Sequence, residues 1–295
     1  MDTIIGLGEA GCNIATAFQK YDQYKVYKID VGLEGIKETG YGDFPQDGIY
    51  SMPKQTSPEA YEKNCPDMKY FFKGMSGEIL FVIGGSGSIS GASLKILQQL
   101  QHCDINVLYI QPDFELLPEA KRVHERSTYY ILQEYARSAK FKRMFLISNN
   151  MIENHLENVP LVGYYDKINE MIVSTFHMIN VYNHLKPVTD TFYHPYETAR
   201  ISTVGIFNIE DGANKEFFSL DKVREMRYYY AINKNDLETD GSLFKKIKQQ
   251  IRDAAVNGVK TSYGIFSTDY EQNYGYAVGF SSSIQRRENE KKMFS

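Results

Sequence analysis

Twice in its first third this chain runs a short apolar strand straight into a glycine-rich turn and then into a helix. Residues 3–13 read Thr-Ile-Ile-Gly-Leu-Gly-Glu-Ala-Gly-Cys-Asn, with Gly6, Gly8 and Gly11 at the junction and a helix expected from about Cys12. Residues 78–83 read Glu-Ile-Leu-Phe-Val-Ile, a continuous apolar run after the glutamate with β-branched members, the pattern of a strand buried on both faces of a parallel sheet. That run ends in Gly-Gly-Ser-Gly-Ser-Ile-Ser-Gly, residues 84–91, ahead of a helix face marked by Leu94 and Leu97. In such a turn backbone N–H groups converge on a phosphate, and the helix N-terminus adds its partial positive charge. Two turns of this kind in one sheet would surround a multiply charged phosphate from two sides.

The first turn alone supports a second reading. Gly6, Gly8 and Gly11 satisfy G-x-G-x-x-G, and Asp30, closing the strand 25–30, stands where a dinucleotide enzyme keeps its ribose ligand. An NAD-dependent oxidoreductase is therefore a competing possibility, but it has no use for the second turn.

Strand and helix go on alternating: a strand at 105–110, a helix at about 118–138, a strand at 143–148. This order predicts a doubly wound α/β parallel sheet with ligands at the strand C-terminal ends. Residues 40–54 read as loop, and Ser57-Pro58-Glu59 as the capped start of a short helix to about Asn64. From 165 to 184 a long central helix carries Ile168, Met171, Ile172, Phe176, Ile179 and Val181, apolar almost all round, as a helix buried between two domains would be. Beyond Pro187, residues 188–196 form a loop containing Asp190. Strands at 200–207 and 227–232, a helix after 240–242 and a closing strand pair at 259–266 and 274–280 predict a smaller α+β domain. The expected division is 1–160 for nucleotide binding, 161–186 for the central helix, 187–284 for the second domain and 285–295 for a mobile tail.

Composition narrows the function. The chain has 295 residues, 42% hydrophobic and 24% charged, with no apolar run long enough to span a membrane. The N-terminus shows no signal-peptide pattern, so a cytoplasmic location is expected. A net charge of −4 gives no general reason to bind nucleic acid. Cys12, Cys65 and Cys103 lack C-x-x-C spacing, and the six His residues lack zinc spacing, so neither a disulfide framework nor a metal centre is expected. Nothing near Cys12 in sequence supplies a base that would make it a nucleophile. The 23 Tyr and 17 Phe suit a protein rich in interfaces.

The order of these parts resembles the tubulin/FtsZ superfamily of filament-forming GTPases over nearly the whole chain. Residues 6–13 look like the family's first nucleotide loop, and 85–91 like its signature G-G-G-T-G-[ST]-G. The resemblance implies GTP or GDP as ligand, with Mg2+ held through the phosphates. It implies that Gly8, Ala10, Gly11 and Cys12 lie along phosphates and sugar, and that Gly85, Ser86, Gly87, Ser88 and Ser90 hold the phosphates. Residues 56–59 fall at the family's γ-phosphate-sensing loop. Glu115 resembles the ribose contact, Asn149 and Asn169 the residues that read guanine, and Tyr165 the aromatic packed on the base. Asp190 falls in the loop that completes the active site of the next subunit, so that hydrolysis requires a filament. The plainer alternatives are a turn-forming role for Asp190, capping or solvent exposure for the two Asn, core packing for Tyr165 and a helix-start charge for Glu115.

Departures from the family pattern are local. Ser86 replaces a glycine, Ile89 puts a β-branched side chain in the signature, and the second acid expected after Asp190 is absent, with Tyr193, His194 and Glu197 nearby. The arginine expected one turn after Glu115 is replaced by Glu119, with Arg122 further on. These changes resemble divergent phage or plasmid tubulins, which would place the protein in a bacterial host cytoplasm. The expected function is a head-to-tail homopolymer that hydrolyses GTP, with an adaptor or cargo as a further partner. The alternative is a nucleotide-binding scaffold with little or no turnover.

Overall fold

The computed structural model describes residues 1–33, 48–156, 160–255 and 258–287. In chain order they form β1 (Thr3–Leu7), α1 (Gly8–Phe18), β2 (Lys25–Val31), β3 (Ile49–Met52), α2 (Pro58–Lys63) and β4 (Glu78–Gly84). A 3-10 turn (Ser88–Ala92) leads to α3 (Ser93–Gln99), β5 (Asp104–Gln111), α4 (Glu119–Arg137), β6 (Arg143–Ser148), α5 (Asn149–Glu153) and α6 (Tyr164–His184). Then come β7 (Thr189–Asp190), β8 (Ile201–Phe207), β9 (Asn214–Glu216), β10 (Val223–Asn233), α7 (Lys234–Thr239), α8 (Leu243–Ala254), β11 (Lys260–Thr268) and β12 (Tyr274–Ser281).

Among the described residues the strands join one sheet in the order β3-β2-β1-β4-β5-β6-β8-β12-β10-β11-β7, with β9 added beside β8. The first six are parallel to one another, so the glycine turns after β1 and β4 emerge side by side at the same end. At the centre, β4 shows why its sequence is uniformly apolar. Ile79, Phe81 and Ile83 enter the core under α2, α3 and α4, while Leu80 and Val82 enter the core under α1 and α6. All five are fully buried, each stabilising the fold by roughly 1.5–3 kcal/mol.

The junction between the two halves is narrow. β6 meets β8 through two register pairs, Met144 with Ile201 and Phe145 with Ser202, and the sheet then continues into the second half. A third core lies there under α8, where Leu243 and Ile247 pack on Tyr230, Ile232 and Ile265.

Four expectations need correction. Helix α1 begins at Gly8 rather than near Cys12, because Gly8 adopts φ +71° and lets the chain turn into the helix at once. Within the segment read as loop, 49–52 form β3 against β2; residues 40–47 lie outside the described residues. The last two strands are not a pair, since β10 lies between them, antiparallel to β12 and parallel to β11. Residues 285–287 are packed: Gln285 and Arg287 are buried against α4, whose Gln133 amide bonds both the N–H and the C=O of Gln285. The rest of that segment, 288–295, lies outside the described residues.

Candidate functional site

The first helical turn of α1 is Gly8, Glu9, Ala10 and Gly11, so three of the four N–H groups that find no partner inside a helix, those of Gly8, Ala10 and Gly11, belong to residues expected beside phosphate and sugar. Behind them Cys12 is buried, its Sγ facing the carbonyls of Gly6 (3.5 Å) and Ile29 (3.7 Å). Burial, helped by nearby Asp30, pushes this thiol up to about 12, so it is inert.

The second turn leans on the first. Ile89 Cγ2 would lie 2.8 Å from a Cβ placed on Gly8, and Ala10 Cβ 2.9 Å from one on Gly84, so the two turns share a van der Waals boundary. Ile89 is itself buried and fills the interval between them. Ser86 is half-buried and Gly87 and Ser88 are exposed, open toward a ligand, whereas Gly85 and Ser90 are buried. Ser90 Oγ donates to the Gly87 carbonyl (2.6 Å), which folds the turn on itself. On the outer side Pro58, at the end of the 56–59 loop, has its backbone carbonyl against Gly91, a contact only glycine permits.

Helix α4 supplies residues that sequence reasoning missed. His124 Nε2 lies 2.7 Å from Ser90 Oγ and 3.3 Å from the Gly87 carbonyl. A carbonyl only accepts, so Nε2 carries the proton. Burial holds His124 below the usual imidazole range, which keeps it neutral in that donor role. Arg122 donates to the carbonyls of Leu117 (2.7 Å) and Glu115 (2.9 Å) and so holds the loop that presents Glu115. This is positioning of backbone, by an arginine that lies one turn on from 119 on the same face of α4, 3.9 Å from the Glu119 carboxylate.

At the far side of the row, Asn149 opens α5 directly after β6, and its Oδ1 is buried with no hydrogen-bond partner among the described residues. Left so, a buried acceptor costs about 1–3 kcal/mol; a ligand N–H removes that cost. Tyr165 and Asn169 sit one turn apart on α6, with Tyr165 largely exposed and Asn169 half-buried. Glu115 is exposed at the rim of a cavity of about 550 Å³ that Gln111, Asp113, Ser148, Asn150 and Arg287 also line. Neither glycine turn lines this cavity; both lie outside it.

Asp190 alone is not brought to this end. Helix α6 starts beside α5, which follows β6 directly, and reaches toward its end the point where Asn180 donates to the Met1 carbonyl (3.0 Å), at the opposite end of the strands. Its 21 residues span about 31 Å. The six-residue link from His184 to Asp190 reaches about 20 Å at full extension, so it cannot lead back to the glycine turns. Moreover β7 pairs antiparallel with β11 and fixes Asp190 opposite Gly264. Asp190 is exposed, and its Oδ1 accepts the N–H of Phe192 (3.0 Å), the geometry of a turn former.

No sequence-family model and no curated protein matches the chain. Solved structures do. A GTPγS-form protofilament of TubZ from Bacillus thuringiensis serovar israelensis matches with a TM-score of 0.71 at 13% identity, over 98% of this chain and 89% of that one. A GTPγS-bound protofilament of CetZ2 from Haloferax volcanii gives 0.71 at 16% identity, over 99% and 96%. An FtsZ dimer from M. jannaschii gives 0.66 at 9% identity, over 97% and 92%. This is the tubulin/FtsZ fold. In its version here, the row of turns from Gly8 to Asn149 forms one end, and the loop with Asp190 follows the helix that runs away from it. Among the described residues no group of His, Cys, Asp or Glu side chains is arranged to hold a metal ion, and no helix is long and apolar enough to cross a membrane.

Proposed function

We propose that this chain binds guanine nucleotide between its two glycine turns and assembles head to tail into a filament in which Asp190 of one copy completes the site of the next. The observation that carries the reading is the separation just described: a phosphate seat at one end of α6 and an exposed carboxylate past the other, too far apart to meet within one chain. The seat fits a nucleotide by its chemistry. Orphan N–H groups of α1 suit phosphate, and the unpaired Asn149 Oδ1 suits a base that offers N–H groups, as guanine does. Any Mg2+ would arrive with the phosphates, where it would offset their charge.

Both ends also carry exposed apolar side chains. Leu161 and Val162 are each 91% exposed beside the start of α6, and Leu185 (53%) and Val188 (64%) follow its end. Two different apolar ends on one molecule favour an open, heterologous stack rather than a closed dimer. The neighbours named as protofilaments, and a four-stranded TubZ-Bt filament matched at a TM-score of 0.72 and 14% identity, are in keeping with this. In the stack the arriving Asp190 orients the water that attacks the γ-phosphorus, and the glycine turns receive the charge that develops on the phosphate oxygens. A cytoplasmic setting, with an adaptor or cargo on the filament surface, belongs to the same proposal.

Ile89 favours a second reading. Its side chain occupies the interval between the turns, which narrows the phosphate seat, and only one acid stands in the 188–196 loop. A scaffold that binds nucleotide and assembles with little turnover would look the same. GTP hydrolysis measured against protein concentration, for wild type and Asp190→Ala, separates the two. The leading reading expects a critical concentration, with turnover lost and filaments kept in the variant. Turnover proportional to protein and untouched by the substitution would overturn it.

A further inference from the structure

On its inner face α4 carries Glu125, Tyr129, Leu132, Gln133 and Ala136, all buried, and two of these are strongly polar. Glu125 is completely inaccessible, and its two oxygens face opposite ways. Oε1 accepts the phenol of Tyr109 (2.7 Å), and Oε2 is ion-paired with Arg287. Tyr109 lies on β5, and its hydroxyl is pressed against the Cα of Gly85, where any side chain would collide with it. The N–H of Gly85 is meanwhile tied to the Ile110 carbonyl (3.1 Å). The first residue of the signature turn is thus gripped on two sides by β5, and the side-chain grip is set by Glu125. Arg287 also stacks on Phe114, two residues beyond Pro112 in the loop of Glu115, at 4.5 Å. It lines the same cavity as Glu115.

We propose that Arg287 is a positioning residue of the nucleotide site. It acts through Glu125 and Tyr109 on the turn at Gly85 and through Phe114 on the loop of Glu115. The inference rests on the nucleotide reading above. It makes the C-terminal segment, anchored by the Gln133–Gln285 pair, an indirect support of the turn at Gly85. A buried carboxylate needs its cation; without it Glu125 either takes up a proton or leaves its place, and in both cases Tyr109 loses a charged acceptor.

The test uses the full chain and fluorescent GMP, GDP and GTP analogues. Arg287→Met should weaken GDP by about tenfold, with the loss growing from GMP to GTP because the relay ends on the phosphate turn. The double variant Glu125→Gln/Arg287→Met keeps a neutral acceptor for Tyr109 and should return to within about threefold of wild type. Tyr109→Phe, nearly isosteric, should give a smaller loss of the same phosphate-dependent kind and carries the test if Arg287→Met does not fold. An affinity unchanged in folded Arg287→Met and Tyr109→Phe, or a loss equal for all three nucleotides, would overturn the relay. If wild type binds none of the three, the nucleotide reading fails, and amide exchange then decides the relay: Arg287→Met must speed exchange across 84–91, and an unchanged rate refutes it.

Discussion

The two ends of α6 are built in opposite ways. At its start, backbone does the work: glycine turns packed so closely that Ile89, Tyr109 and Pro58 sit where side chains would be, with an unpaired Asn149 acceptor beside them. Past its other end, the one candidate acid is exposed on a two-residue strand paired with β11, its carboxylate bonded only to its own turn among the described residues. The first end tolerates almost no change of shape, and the second almost any change that spares its carboxylate. On the proposed reading, such a site has its precise half inside the subunit and its chemical half offered to a neighbour.

The sharpest way to break that contrast is Gly91→Ala. The new methyl group meets the Pro58 carbonyl, so α2 and the signature turn must separate; the expected result is a loss of GDP affinity of about 100-fold and about 1–3 kcal/mol of stability. Titration with a fluorescent nucleotide and thermal unfolding check both. Asp190→Ala should lower turnover by about 100-fold while changing stability by no more than about 0.5 kcal/mol, read by phosphate release and melting. Mixed in equal amounts, these two inactive variants should recover turnover, because the seat of one meets the acid of the other. A mixture that stays inactive while filaments form would show that Asp190 does not act across the contact.

Acidification should have a smaller effect, since His124 at the glycine turns and His177 on α6 are both held below the usual imidazole range by burial. Near the end of α6, His177 stacks on Tyr21 (3.5 Å between centroids), and its Nδ1 lies 3.1 Å from the Tyr24 hydroxyl. Burial, with Lys20 nearby, holds this imidazole below its ordinary 6.5. The unfolded chain therefore binds the proton more readily, so stability is present above pH 6.5 and falls as pH drops below it. Melting temperatures between pH 8 and pH 5 should decline on the acid side, and less so in His177→Gln. Smallest of all is the expected response to thiol reagents at pH 8. Cys65 and Cys103 are partly accessible and should react, whereas Cys12 should be modified only on unfolding, as mass spectrometry of the labelled protein can show.

What could be read from the sequence was local. The glycine turns, the doubly buried β4, the Ser57 cap and the central helix each follow from a few neighbouring residues, and each is present. Contacts over long chain distances gave no such signal. Glu125 and Arg287 are 162 residues apart, and Arg287 stood in a mixed-charge segment with every mark of a loose end. A hint existed on α4: Glu125 and Gln133 share a helical face with Tyr129, Leu132 and Ala136, and polar groups on an apolar face need partners. His124 beside Ser90 and the placing of β10 between β11 and β12 carried none, because pairing across a sheet is decided by the whole set of strands. Asp190 was legible as a residue but not in its placement, which depends on the direction of α6.

That direction has a mechanical corollary. A helix cannot stretch, since its rise per residue is fixed by its own hydrogen bonds. If the proposed seat at one end of such a rod and the acid past the other do act together across a contact, the rod holds the two at a fixed separation of about 31 Å along α6 in each subunit. On that proposal, loss of a γ-phosphate would have no way to shorten or lengthen the subunit along α6. What it could change is the tilt of one such rod on the next, and with it the curvature of the proposed stack.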